Sequence, residues 1–164
     1  MREPLLIIDV AADGDEKKWS TVIRAKRLNG DSVKLRVHGC TAKFWTAKPV
    51  AEHSWAVKID GLVKVNHTEM TSVEGIPLME VVVESPFHIR KVRDFYYPHY
   101  AADAKWSSLV RWIHGWEAVI EVDLTKDLQN LRPVNIHDSE VPSSDFSLDL
   151  LYFDIETADS LDMK

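Results

Sequence analysis

The chain has 164 residues, 45% of them hydrophobic, and a formal net charge of −6, which is enough for one well-buried domain or two small ones. Its single cysteine, Cys40, excludes an intramolecular disulfide and points to a reducing, cytoplasmic setting. The apolar patch at residues 5–8 stops at Asp9, too short for a signal-peptide core or a membrane span, so no membrane partner is expected.

The first elements read as strands. Residues 5–10 form one, and Asp13-Gly14-Asp15 marks a turn. Residues 20–28 and 32–38 flank Asn29-Gly30-Asp31 and read as a hairpin, with Asn-Gly supplying the positive φ values of a tight turn. A further strand is predicted over 41–46. Residues 57–71 alternate through Val57, Ile59, Val63 and Val65. Residues 77–84, with Val81-Val82-Val83, predict a strand buried on both faces.

A helix follows, with Ser85 as N-cap, Pro86 at N1 and an apolar face of Phe87, Ile89, Val92 and Phe95. Residues 99–102 read as a short strand. Residues 104–114 predict a second helix with Trp106, Leu109, Val110 and Ile113 on its packed face, closed by Gly115. Residues 116–123 alternate again. Residues 125–147 hold Pro133, Pro142 and Ser143-Ser144-Asp145 and read as a loop or linker. Residues 148–156 form the last predicted strand. The order predicts an α+β fold, mostly antiparallel strands with two main helices. Residues 41–102 form a ferredoxin-like or RRM-like split βαβ unit if 48–56 supply its first helix.

Charge is unevenly distributed. Residues 1–116 carry 17 Lys/Arg against 14 Asp/Glu, a net of +3, and residues 117–164 carry 3 against 12, a net of −9. Such a shift points either to a boundary with different partners or to a solvated acidic linker, and composition alone favours the linker. The seven histidines show no metal-ligand spacing, no Gly-rich phosphate loop is present, and the six tryptophans read as core.

The most specific signal is the run Leu150-Leu151-Tyr152-Phe153 leading into Asp154-Ile155-Glu156-Thr157. Carboxylates two apart on a strand share a face. Two like charges side by side are costly unless a cation sits between them, and a divalent metal at a nuclease centre is the usual solution. One strand supplies only part of the roughly six oxygens a hard cation needs.

Phe153-Asp154-Ile155-Glu156-Thr157 resembles the first exonuclease motif of family B DNA polymerases. The upstream order resembles archaeal-type members: the first strand at 6–10, the hairpin before Phe44-Trp45, the Gly75-Ile76-Pro77-Leu78 strand entry, and the helix at 103–115. The resemblance implies a template-contacting N-terminal domain over 1–124, a linker over 125–147, and the first strand of a truncated 3′→5′ proofreading exonuclease domain over 148–164. It implies Asp154 and Glu156 as catalytic and metal-binding residues, with Mg or Mn in the parent enzyme and none in the fragment. The parent would be a nucleotidyltransferase of DNA replication that uses DNA template and primer and dNTPs, with a sliding clamp as a candidate partner. The fragment alone would be inactive.

Some archaeal relatives inspect the template through a small uracil pocket. Its matching positions lie near Phe44, Pro86, Ile89 and Trp106. A tyrosine and a proline of that pocket are replaced by Phe44 and Lys43, so general contact with single-stranded template is expected rather than tight uracil capture. The alternative is a free-standing single-stranded nucleic-acid-binding or interaction module built on an RRM-like sheet.

Overall fold

The computed structural model describes residues 2–49 and 58–146. Among these, two antiparallel sheets carry the fold. The first has the order β3-β2-β1-β8-β9, built from β1 (Arg2–Gly14), β2 (Trp19–Arg27), β3 (Ser32–Val37), β8 (Val119–Asp123) and β9 (Ile136–Asp138). The second has the order β5-β6-β4-β7, from β4 (Ala42–Ala47), β5 (Leu62–Thr71), β6 (Pro77–Val83) and β7 (His99–Tyr100). Helix α1 (Ile89–Arg93) links β6 to β7, and α2 (Trp106–His114) links β7 to β8. The described residues are therefore α+β, with mostly antiparallel strands and two helices.

Numbered within the 41–102 unit, the second sheet runs 2-3-1-4, with every pair antiparallel. That is the strand order of a split βαβ unit. Its expected first helix, 48–56, falls almost wholly outside the described residues, as does the predicted strand 148–156.

The hairpin forms where Asn29-Gly30 predicted it, but by a different turn. Only Gly30 has a positive φ, +87°, and its N–H donates to Arg27 O at 3.0 Å. A turn with a single left-handed residue at its end replaces the two-residue type predicted. Strand β5 also departs from its predicted face. A register shift between Leu62 and Lys64 turns Val63 out to solvent. Residues 125–146, read as loop, supply β9, which pairs with β8, and bury Leu131, Ile136 and Phe146.

Helix α1 is shorter than predicted, because Pro86–His88 forms a 3-10 turn before it. Ser85 does not cap it. Its hydroxyl instead meets Nδ1 of the buried His88 at 2.8 Å. Ile89 and Val92 are buried, while Phe87 and Phe95 are exposed and Tyr96 takes the inward position. Helix α2 ends as predicted, with Gly115 left-handed at φ +68°.

Two cores result. One holds Phe44, Met79, Val81, Val92, Tyr96 and Leu109, and the other Leu5, Ile23, Leu35, Val110, Ile120 and Leu131. Trp19 and Trp106 pack against both. No helix among the described residues is long and apolar enough to cross a membrane.

Candidate nucleic-acid interface

The junction between the sheets is fixed by two indoles. Trp19 and Trp106 meet edge to face with centroids 5.5 Å apart. Trp19 Nε1 donates to Glu84 O at 3.0 Å, and Trp106 Nε1 donates to Thr21 Oγ1 at 3.3 Å. Both polar edges are thus satisfied while the ring bodies remain apolar. The turn that follows β6 is fastened from the other side. His88 Nε2 lies 3.6 Å from Glu16 Oε2, and Lys91 Nζ lies 2.5 Å from Glu16 Oε1. The Lys91 hydrogen bond holds the Glu16 carboxyl below its ordinary range.

Against this junction lies a cavity of about 290 Å³, lined by Pro86, Ile89, Arg90, Arg93, Ala102, Asp103, Ala104 and Trp106. Pro86 and Ile89 come from the turn and the start of α1, and Trp106 from the start of α2. Arg93 is ion-paired to Asp103 and lies 3.6 Å from Asp94. Arg90 is exposed and has no ion-pair partner among the described residues. The wall therefore offers one committed and one available guanidinium beside an indole edge.

The structure brings together three of the four sequence-predicted contact residues: Pro86, Ile89 and Trp106. Phe44 is elsewhere. It is fully buried in the middle of its sheet, opposite Val81, with its ring 6.0 Å from Tyr96 and 6.5 Å from His99. Lys43, on the opposite face, bonds Glu80 Oε2 at 2.8 Å and lies 5.4 Å from the Trp45 ring centroid. Burial would push the Glu80 carboxyl up, but hydrogen bonds from Lys43 and Asn66 outweigh it and hold the group below its ordinary value. Asp154 and Glu156 lie outside the described residues.

Arg90, Arg93 and Asp103 were missed as cavity residues in the sequence, where Arg90 and Arg93 read simply as the polar side of a helix. Trp112 was misread as core. It is 56% exposed, and its position off the Trp106-Leu109-Val110-Ile113 stripe is a signal that could have shown this. Cys40 is buried, and burial pushes its thiol up to about 11, which disfavours the reactive thiolate. Among the described residues no cluster of three His, Cys, Asp or Glu could hold a metal.

No protein-family model and no curated protein matches this chain. Among solved structures, it has a weak neighbour in the family B DNA polymerase from the hyperthermophilic archaeon Pyrobaculum calidifontis, with 17% identity and a TM-score of 0.46. The match covers 68% of this chain and 16% of that polymerase.

Proposed function

We propose that this chain is the N-terminal part of an archaeal-type family B DNA polymerase and that its cavity between α1 and α2 contacts single-stranded template. The observation that carries the reading is the convergence of Trp106, from the start of α2, with Pro86 and Ile89, from the entry to α1, on one cavity with Arg90 at its wall. An aromatic edge and apolar side chains beside a guanidinium suit a base and its phosphate. The Asp154-Ile155-Glu156 motif and the order of upstream segments supply the family reading. In the whole enzyme Asp154 and Glu156 would be two of the oxygen donors for Mg or Mn, which supplies Lewis-acid assistance to 3′→5′ hydrolysis. DNA synthesis from dNTPs and any clamp contact belong to that larger protein.

A free-standing RRM-like module would stack bases on its central strands. Here the aromatics of β4, Phe44 and Trp45, are both buried, which disfavours that mode. The test is a fluorescence-anisotropy titration of a labelled single-stranded 12-mer against the wild-type chain and Arg90→Ala. Weak binding, reduced severalfold by the substitution, is expected. Equal affinity for the two proteins, or strong preference for a uracil-containing strand, would overturn the reading.

A further inference from the structure

Trp112 is the large apolar residue of α2 that the fold leaves mostly exposed. An indole is among the largest apolar surfaces a side chain can bury, yet this one stays 56% exposed. One side rests on Trp45, with centroids 4.6 Å apart and planes tilted by 53°. Trp45 is itself buried, and its Nε1–H has no hydrogen-bond acceptor among the described residues. Beside Trp112 a cavity of about 380 Å³ extends to Trp116 across Gly115. Apart from its two chain neighbours, nothing among the described residues lies within 4 Å of where a Gly115 side chain would begin, so the space there is open. Its volume falls in the range of small-molecule sites, roughly 300–1,000 Å³.

The polar groups at this cavity are held in place. Arg111 Nε donates to Trp116 O at 3.2 Å, which fixes the guanidinium at the wall and leaves its terminal nitrogens to meet an anion. Glu117 stands on the rim, its own N–H tied to Asp138 Oδ1 at 2.9 Å. Arg111 and Glu117 form no ion pair with each other.

We propose that this slot is a second nucleic-acid subsite: a base of a single strand stacks on Trp112, its phosphate meets Arg111, and an exocyclic amino group reaches Glu117. The inference rests on the reading of the chain as a template-contacting module and extends it to a second surface. The chemistry favours this occupant. An apolar anchor from a protein partner would desolvate a cation and a carboxylate that do not neutralise each other, whereas a nucleotide offers each a partner. Base stacking on an exposed aromatic tolerates any sequence. Trp106 and Trp112 lie roughly 9 Å apart along the helix axis and about 120° apart around it, so one strand crossing α2 can reach both sites.

The test uses the 164-residue chain with a labelled oligo(dC) 12-mer and an abasic 12-mer of the same length. Trp112→Ala should weaken oligo(dC) binding about tenfold, a size typical of losing one stacked base, and leave abasic binding unchanged. Trp112→Phe should retain most of the affinity, and Arg111→Ala should weaken both probes. Thermal melts confirm that each variant is folded. Wild-type affinity in Trp112→Ala, an equal loss on the abasic strand, or a wild-type dimer that Trp112→Ala dissociates would overturn the proposal. If Arg90→Ala weakens binding and Trp112→Ala does not, this subsite alone fails. If the reverse holds, the subsite stands and the α1–α2 cavity reading fails. No binding of either strand removes both.

Discussion

His114 shows what a single side chain contributes near these sites. Its ring stacks on Trp116 at 5.0 Å, and Nε2 accepts a hydrogen bond from Thr41 N–H at 3.4 Å. That bond needs the neutral ring. Burial and then the charge of Lys43 lower the pKa from the ordinary 6.5. As pH falls, the unfolded chain takes up this proton before the folded one. The stability contribution is therefore full above about pH 6.5 and is lost as pH drops through the window below it. Melting temperature should fall between pH 7 and 5, and His114→Gln should flatten that slope. A depressed Glu80 carboxyl acts in a lower window, where stability is lost only as pH falls below its ordinary 4.5. Gly61 is the other sensitive residue. Its φ is +79°, and a β-carbon there would run into the His88 ring. Gly61→Ala combines backbone strain with a buried clash, so a loss of at least about 2 kcal/mol is expected in a urea titration.

At the level of elements, what the sequence discloses follows from the range of the forces involved. The β2–β3 hairpin was legible because Asn29-Gly30 and the alternation around it are local. Helix α2 was legible from its stripe and Gly115, and β6 from its valine run. Strand β9 was not. Its three residues between Pro133 and Pro142 are too few to show a period, and it exists because β8 offers it an edge. Ile136 makes it more than an accessory, since it is buried in the same core as Leu5 and Ile120. Ile136→Ala should cost about 2–5 kcal/mol, read as a shift in the denaturant midpoint. Phe44 was misjudged because an aromatic on a strand gives no sign of whether both faces are covered. Here β4 is central, with Phe44 facing Tyr96 and Trp45 facing Trp112. The cavity at Pro86 was legible only as separate residues. Their meeting depends on Trp19, which comes from the other sheet.

For the whole molecule, charge sets how nucleic acid is held. The first 116 residues are only +3, and of the two arginines at the cavity Arg93 is already paired. Few counterions are then released on binding. A single strand gives a slope of about −0.7 in log K against log salt for each phosphate neutralised. Two or three contacts predict a slope of roughly −1.4 to −2.1, and Arg90→Ala should make it shallower by about 0.7. A slope several times steeper would show that a larger basic surface is engaged.

Leu109 and Val110 are neighbours in sequence, yet each belongs to a different core. One peptide bond thus spans the seam between the two sheets, and Trp106 one turn earlier touches both. Neither sheet can lose its packing without dragging this helix from the other, so the described parts should open as one cooperative unit. Hydrogen exchange should report the same opening free energy for the slowest amides of β2 and β6. The 41–102 unit, cut out on its own, would surrender Leu109 and with it the lid of its own interior. It resembles a familiar module in outline, but it is built as half of a hinge-less pair.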